Sequence, residues 1–330
     1  MNHKKIAELA HVSPSTVSKA LSGSSEINSE TAEKIRQIAI DIGYFKEKNK
    51  RKRDYNNNNS LLIAVIVPEV AGFYYATIIN CIKNEVESRG GYIAVYIYDF
   101  DKNKANKILE SIIVHGATDG IIMFSEPELS VKPNIPIIVF GKYTNKDYDS
   151  ISCDASSMLD DAVKYLLQLG HKKLGFVGEI RTLGTLKAFK DALTKNNIHI
   201  NDEFIYTIDG RFETIGIEAS KKLISQTDKP TAVIAAYDEV AMSLIHEFTK
   251  NGIGVPDDIS VMGINNISSS AYAQIPLTTV DTFSAELYKT AVEHLFDKII
   301  NETTVVKHII IQHKIVERET TKQNRRNDND

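Results

Sequence analysis

The sequence predicts an α/β protein: an N-terminal three-helix helix-turn-helix head followed by a two-lobed body of doubly wound parallel sheets. Two patterns predict this fold class. Apolar residues recur at helical spacing within residues 1–45, and strand-length apolar runs alternate with helical segments from Leu61 onward. A chain of 330 residues is also longer than one small core usually covers, so several domains are expected.

The composition is that of a globular protein, with 42% hydrophobic and 25% charged residues. No apolar run reaches the ~18 residues of a membrane span, and the N-terminus has no apolar signal segment. Cys81 and Cys153 are too few for a disulfide framework and are expected to be buried, reduced thiols. We therefore expect a cytoplasmic protein with no membrane partner.

Charge is unevenly distributed along the chain. Residues 1–53 carry 11 Lys and Arg against 6 Asp and Glu, although the whole chain has a formal net charge of −4. Such asymmetry predicts that the N-terminal part binds a polyanion and that the rest does not.

The first predicted helix runs from Lys4 to Ala10. Ile6, Leu9 and Ala10 share its apolar face by their spacing. A turn at 11–12 follows and leads into the second helix.

The second predicted helix starts with Ser13, a favourable N-cap, and Pro14, which suits the first helical position. Gly23 ends it. A helix whose exposed side carries small and hydroxylated residues can lie in a DNA major groove. Its inward residues are Val17, Ala20 and Leu21, and its outward residues are Ser15, Thr16, Ser18 and Lys19.

The third predicted helix is capped by Asn28 or Ser29 and ends at Gly43. Three helices around one small core form a helix-turn-helix domain, although the periodicity alone also suits a helical hairpin that binds nothing. The apolar stripe of this helix consists of Ile35, Ile38, Ala39 and Ile42.

Residues 46–60 are predicted to be a linker, because they show no apolar periodicity. Six of the eight residues in Lys46–Arg53 are basic, and an Asn-rich stretch follows. The segment is either a solvated spacer or a basic arm that contacts DNA phosphates.

The body alternates between strand and helix patterns in two successive series. Apolar strands joined by helices predict parallel sheets, whose ligands lie outside the carboxyl ends of the strands and, with two lobes, in the cleft. The strand patterns cover 61–67, 92–98, 120–124, 135–140, 173–177, 204–208, 231–236 and 259–263, and the helical ones 74–88, 102–115, 156–169, 185–196, 214–225, 238–251 and 286–300.

Motifs of catalysis are missing from the sequence. It contains no phosphate-binding P-loop, no dinucleotide fingerprint after a strand, no H-E-x-x-H and no G-x-S-x-G. The nine His residues are scattered rather than spaced as metal ligands. We therefore expect neither an enzyme nor a cofactor or metal.

Residues 6–22 read IAELAHVSPSTVSKALS. This segment resembles the head of the LacI/GalR family of bacterial transcription regulators, whose pattern is approximately V-A-x-x-A-G-V-S-x-x-T-V-S-R-V-L-N. Residues 27–31 and 42–44 also fit. The resemblance implies that Pro14 and Ser15 select bases and that Ser13, Thr16 and Ser18 contact phosphates or bases. Lys19 stands where the family usually has Arg.

The family also has a short hinge helix after the head, with a Leu that wedges into the minor groove. Arg53 stands near the place of that Leu here, so the wedge is missing. We expect Arg51 and Arg53 to contact DNA instead, because basic side chains are attracted into narrow minor grooves.

The body resembles the effector domain of the same family and periplasmic sugar-binding proteins, most specifically at 169–178, 230–233, 255–263 and 276–280. The resemblance implies a sugar-like effector bound between the lobes. Phe212 is equally expected as core, and Asp238 as the cap of its helix. The candidate ligand residues are Tyr74, Tyr75, Arg181, Phe212, Tyr237, Asp238 and Asn265.

The sequence therefore predicts a homodimeric, ligand-responsive DNA-binding regulator: a repressor of a carbohydrate-utilisation operon controlled by a sugar or sugar phosphate. The alternatives are a DNA-binding regulator with a degenerate or non-sugar pocket, and a solute-binding protein. The expected domains are a head at 1–45, a linker at 46–60, an effector-binding and dimerisation domain at 61–318, and a disordered tail at 319–330. Within the effector domain, lobe one covers about 61–154 and 283–308, and lobe two about 155–282 and 309–318.

Overall fold

The computed structural model describes residues 3–24, 26–42, 44, 60–115, 118–129, 133, 135–141, 147–282 and 285–324. The chain divides into two compact units. The first comprises Met1–Ala71, Tyr75–Ser152 and Leu287–Ile309, and the second comprises Gly72–Tyr74, Cys153–Glu286 and Ile310–Asp330.

The described helices are α1 (His3–Ala10), α2 (Pro14–Leu21), α3 (Ser29–Asp41), α4 (Phe73–Ser88), α5 (Lys102–His115), α6 (Ala155–Gln168), α7 (Leu183–Lys195), α8 (Glu213–Ser225), α9 (Asp238–Lys250) and α10 (Ala285–Ile300). The described strands are β1 (Leu62–Val67), β2 (Tyr92–Ile97), β3 (Gly120–Met123), β4 (Ile137–Phe140), β5 (Asp149–Cys153), β6 (Leu174–Glu179), β7 (Ile205–Ile208), β8 (Ala232–Ala235), β9 (Ser260–Ile264), β10 (Thr278–Asp281), β11 (His308–Ile311) and β12 (Lys314–Val316).

The three N-terminal helices enclose a small apolar core of their own. Ile6, Val17 and Ile35 are fully buried at its centre, one from each helix. The expected inward position of Leu9 is wrong: its side chain is 49% exposed, and Ala7 takes its place in the core. The buried face of α1 therefore consists of Ile6, Ala7 and Ala10. The sequence pattern predicted Leu9 in place of Ala7, since either residue lies beside Ile6 and Ala10 on one side of a helix.

The sheet of the first unit has the strand order β11-β5-β4-β3-β1-β2. Its central strands are parallel, and the register runs from Leu62 opposite Tyr92 to Val67 opposite Ile97 between β1 and β2. Strands β3 and β4 are buried along their whole length, as expected for parallel strands covered on both faces.

The sheet of the second unit has the order β12-β10-β9-β8-β6-β7. Every described pair in it is parallel except β10 with β12. The chain leaves β6 for β7 on one side and returns to β8 on the other. Helices therefore diverge between β6 and β8, and the carboxyl ends of these two strands flank a switch point, where open α/β sheets bind ligands.

These two parallel-sheet units and the three-helix head confirm the predicted fold class. Strands β5, β10, β11 and β12 were not among the predicted strands, since they are short and partly polar. Among the described residues, none of the helices combines the length and the apolar character needed to cross a membrane.

The predicted disorder from residue 319 is wrong for residues 319–324. Thr320 is fully buried, and its hydroxyl donates to the Val261 carbonyl at 2.7 Å while accepting the Thr278 amide at 2.9 Å. The Asn324 amide donates to the Leu169 carbonyl at 2.7 Å. We call residues 317–324 the strap, because this polar segment is held against the second sheet by hydrogen bonds rather than by apolar packing.

Candidate functional site

The N-terminus of helix α2 is built by Ser13 and Pro14. Ser13 lies at the N-cap in an extended conformation, and its hydroxyl accepts the Thr16 amide at 3.1 Å. Pro14 occupies the first helical turn, where its missing amide proton costs nothing. The predicted cap and start of this helix are therefore both present.

Hydroxyl groups cluster at this helix end. The Ser13 hydroxyl lies 2.7 Å from that of Ser15 and 2.8 Å from that of Thr16. Ser13, Pro14, Ser15 and Ser18 are exposed, and Thr16 is half-buried. A helix N-terminus that presents several hydroxyl groups is suited to phosphate oxygens and to base edges.

Lys19 projects from the same helix and is about half exposed, at 51%. Its ammonium group forms an ion pair with Glu26. Because Glu26 partly neutralises this ammonium group, a DNA phosphate that binds Lys19 has to compete with Glu26. Arg51 and Arg53, the other predicted DNA contacts, lie outside the described residues.

The turn between α1 and α2 places His11 at a φ of 56°. This left-handed conformation suits glycine, the residue that the LacI/GalR pattern has at this position, and it is strained for a residue with a Cβ. The turn therefore has the conformation expected for glycine although His11 occupies it, and this strain lowers the stability of the head.

In the second unit, side chains gather at the carboxyl ends of β6 and β8. We call Glu179, Arg211, Phe212, Tyr237 and Glu239 the edge cluster. Glu179 ends β6 and is only 1% exposed, and one of its carboxylate oxygens accepts hydrogen bonds from the guanidinium of Arg211 and, at 3.3 Å, from the Tyr237 hydroxyl. Burial raises the pKa of Glu179.

Tyr237 and Phe212 pack together in this cluster. The Tyr237 hydroxyl accepts the Phe212 amide at 2.9 Å, and the two rings meet edge-on with centroids 6.2 Å apart. The guanidinium of Arg211 lies 4.5 Å from the centroid of the Phe212 ring. Phe212 also has a strained backbone, with a φ of 54°, and its side chain packs against the apolar core of the second unit.

Glu239, the last member of the edge cluster, lies in the first turn of α9. It is 8% exposed, and its Oε1 accepts the Phe73 amide at 3.2 Å. Burial raises its pKa as well. The neighbouring Gly72 packs so closely on Phe212 that a Cβ there would lie 2.6 Å from the ring's Cζ.

Asp238 does not cap its own helix, and both of its carboxylate oxygens accept hydrogen bonds from residues outside the edge cluster. Tyr237 is the N-cap of α9. The fully buried Asp238 carboxylate accepts the Thr279 hydroxyl at 2.5 Å and the Ile267 amide at 2.8 Å. Burial raises its pKa to about 7. Its contacts are those of a residue that ties α9 to the neighbouring strand and loop.

The remaining candidate ligand residues are dispersed. Arg181 is 44% exposed, and its guanidinium lies 3.6 Å from the second oxygen of Glu179. Asn265, with a φ of 106°, uses its side-chain oxygen to accept the Thr282 hydroxyl at 3.0 Å. Burial raises the pKa of Tyr74 to about 12. Tyr75, which belongs to the first unit, packs edge-on against Phe124 at 5.7 Å.

Comparisons with known proteins match two parts of the chain to family models. Residues 4–47 match the model of bacterial regulatory proteins of the lacI family, and residues 163–321 match that of a periplasmic binding protein-like domain. The HTH-type transcriptional regulator MalR of Clostridium butyricum is 29% identical over 97% of this chain and 99% of its own length. Catabolite control protein A of Priestia megaterium is 27% identical, covering 96% and 98%.

The fold comparison includes both units and the head. The crystal structure of the lac repressor dimer, bound to operator and the anti-inducer ONPF, matches 96% of this chain and 98% of its own with a TM-score of 0.70 and 22% identity. The chain belongs to the LacI/GalR family of transcriptional regulators. The family predicted from residues 6–22 is thereby confirmed, and so is the class of DNA-binding transcriptional regulator.

In this LacI/GalR regulator, the structure brings Arg181, Phe212 and Tyr237 together around Glu179. The described contacts of Asp238 and Asn265 are with other residues and do not include Glu179. Within the described residues, no group of three or more His, Cys, Asp or Glu is arranged to hold a metal ion.

Sequence analysis missed three members of the edge cluster: Glu179, Arg211 and Glu239. A usable signal was present for Glu179, since it is a charged residue at the end of an apolar strand beside the switch point. Arg211 carried no such signal, because the residue it pairs with lies 32 positions earlier in the chain.

Proposed function

We propose that this LacI/GalR regulator is a homodimeric repressor of a carbohydrate-utilisation operon, and that a small molecule at the carboxyl edge of the second sheet controls its affinity for the operator. The observation that carries the DNA-binding part is the exposed hydroxyl cluster at the N-terminus of α2. Ser13, Thr16 and Ser18 are proposed to contact phosphates or bases, and Pro14 and Ser15 to select bases.

The dimer follows from the size of the head. One three-helix head presents a single short helix to the major groove, and two-fold operators require two heads at a fixed spacing. Arg51 and Arg53 are proposed as additional DNA contacts from the linker. We also propose that the regulator acts in the cytoplasm, because that is where operator DNA lies.

The small-molecule part is supported by the edge cluster. Arg181, Phe212 and Tyr237 are proposed to contact the effector there, and Tyr74 and Asn265, which belong to the same unit, are proposed as further contacts. By mass action and linkage, an effector that changes operator affinity must bind with an affinity that the operator changes by the same factor.

A second candidate function, a regulator whose pocket takes a ligand other than a sugar, is favoured by the contacts of Tyr237 and Phe212. The Tyr237 hydroxyl is engaged by Glu179 and by the Phe212 amide, and the Phe212 ring is covered by Arg211 and packed against Gly72. Neither side chain is thus openly available for stacking on a sugar ring or bonding its hydroxyls.

The test of operator binding uses purified full-length protein and footprinting of genomic fragments. Replacing Lys19 by Ala should lower affinity about tenfold and reduce the magnitude of the slope of log affinity against log salt by about 0.9, the value for one lost phosphate contact. Lys34→Ala, an exposed Lys on α3, is the matched control and should leave both unchanged. Equal effects of the two substitutions, or no preference for any fragment over bulk DNA, would refute the proposal.

A further inference from the structure

The edge cluster contains two buried carboxylate oxygens that accept no hydrogen bond. Among the described residues, four buried side-chain oxygens lack a hydrogen-bond partner, and two of them are Glu179 Oε2 and Glu239 Oε2. The other oxygen of each carboxylate is bonded, to Arg211 and Tyr237 in one case and to the Phe73 amide in the other. Glu179 Oε2 lies 3.6 Å from the Arg181 guanidinium, which is an ion pair without a hydrogen bond, so "unpaired" here means that the oxygen accepts no hydrogen bond. A buried acceptor left unpaired destabilises a protein, so two at one edge of a sheet indicate that a ligand supplies the donors.

The two carboxylates share their surroundings. The Tyr237 hydroxyl bonds Glu179 and the Phe212 amide, and the Phe212 ring packs closely on Gly72, whose neighbour Phe73 donates its amide to Glu239. The two unpaired oxygens therefore belong to one site around Arg211 and Tyr237 rather than to separate surfaces.

The balance of charge at this site favours a cation. Both guanidinium groups of the site lie on Glu179, Arg211 bonding one oxygen and Arg181 lying 3.6 Å from the other, whereas the described contact of the buried Glu239 carboxylate is the uncharged Phe73 amide. The exposed Asp209 and Glu213 add negative charge nearby. Arg211 is already engaged by Glu179 and by the Phe212 ring. A carboxylate or phosphate on the ligand would be repelled by the excess of negative charge.

A neutral hydroxyl could satisfy the unpaired oxygens but would leave the negative charge uncompensated. A protonated amine provides up to three donors together with a positive charge, and charge-assisted hydrogen bonds of this kind are about twice as strong as neutral ones. Burial raises the pKa of both carboxyl groups, and a bound cation would lower it again.

We propose that the effector of this regulator carries a protonated amine, which Glu179 and Glu239 receive through their unpaired oxygens. The inference rests on the proposed function of the second unit as an effector-binding domain. It selects amine-bearing metabolites over the sugar phosphates that the sequence had suggested.

The test measures thermal stability and operator affinity with probes that share a carbon skeleton and differ in whether they carry a cationic, neutral or anionic group. One set is glucosamine, glucose and glucose 6-phosphate, and the other is putrescine, 1,4-butanediol and succinate. We expect an amine, and neither of its neutral or anionic counterparts, to raise the melting temperature and to change operator affinity. Glu179→Gln and Glu239→Gln should each weaken that amine at least tenfold, whereas Glu218→Gln, which changes an exposed Glu on α8, should not.

Glu239→Gln also gives a readout without any probe. Its amide oxygen can still accept the Phe73 amide while the buried negative charge disappears, so the ligand-free protein should melt ~2 °C higher. A purely structural Glu239 would instead leave the variant less stable.

The outcomes separate the two proposals. If the protein prefers one genomic fragment but no amine probe stabilises it, or if neutral or anionic probes bind as tightly as amines, the amine inference fails alone. If no fragment is preferred over bulk DNA, the proposed function fails irrespective of the probes.

Discussion

Replacing Gly263 by Ala tests the assignment of Asp238 as a structural residue. A Cβ at this position in β9 would lie 2.9 Å from the Leu277 Cδ2 and 3.2 Å from the Asp238 Cγ, with the carboxylate oxygen Oδ1 closer still. Both neighbours are fully buried and have no free space to move into. The Ala side chain must therefore displace the Asp238 carboxylate.

The expected cost combines two effects. Overpacking a tight core site costs about 1–3 kcal/mol. Moving the carboxylate also weakens its hydrogen bonds with the Thr279 hydroxyl and the Ile267 amide, each worth about 1.5–3 kcal/mol to a charged acceptor. Partial relaxation of the loop keeps the sum below the full total, and we expect a loss of about 3–5 kcal/mol of unfolding free energy.

Urea unfolding followed by far-ultraviolet circular dichroism measures this loss. Gly184→Ala is the matched control: it lies in α7, a Cβ there would meet nothing within 4 Å, and the substitution should stabilise by up to ~1 kcal/mol through helix propensity. A loss below about 1 kcal/mol for Gly263→Ala would show that the Asp238 carboxylate is not held rigidly by these contacts.

Three further predictions follow from other contacts. His11→Gly should relieve the left-handed strain in the turn and stabilise the head by about 1 kcal/mol, seen as roughly fivefold greater hydrogen-exchange protection of α1 and α2 amides; unchanged protection would contradict it. Thr320→Val should cost about 2–3 kcal/mol in urea unfolding by leaving the Thr278 amide and the Val261 carbonyl unpaired, whereas Thr320→Ser should cost much less; equal losses would point to methyl packing instead. Because burial raises the pKa of Asp238 from 3.8 to about 7, ionisation costs the folded state more than the unfolded chain, so the stability from this group is highest below about pH 4 and falls as the pH rises to 7. The unfolding free energy of the wild type should therefore fall relative to that of Asp238→Asn between pH 5 and pH 7, and parallel pH profiles would refute this assignment.

The head could be predicted almost residue by residue. Its determinants are local: a cap at Ser13, a proline in the first turn, and apolar spacing within helices of 8 to 13 residues. Even there, Leu9 was placed inward although it is 49% exposed, because periodicity fixes a face only to within one or two positions in so short a helix.

The edge cluster could not be predicted in the same way. Glu179 and Arg211 meet because β6 and the loop after β7 are neighbours in the sheet, and nothing within either segment identifies the other. Asp238 was predicted as a ligand residue, yet its partner Thr279 lies 41 positions away, and only the folded sheet shows that its oxygens are occupied.

The strap was missed for a related reason. Its threonines look like those of a disordered tail when only composition is considered. Their hydroxyl groups bond the backbone of β9 and β10 and add to the backbone bond from the Val261 amide to the Thr320 carbonyl, so polar residues hold this segment in place.

The strap and β12 give the second unit an unusual order of assembly during synthesis. Strand β10 ends at residue 281, and the strand that covers its edge, β12, begins at residue 314, after α10 and β11 have been synthesised. Until then β10 keeps an open edge, which is a hazard for association with other nascent chains. Peptide fusions or cleavage that disturb residues 314–324 would therefore affect yield and solubility before they affect DNA or ligand binding.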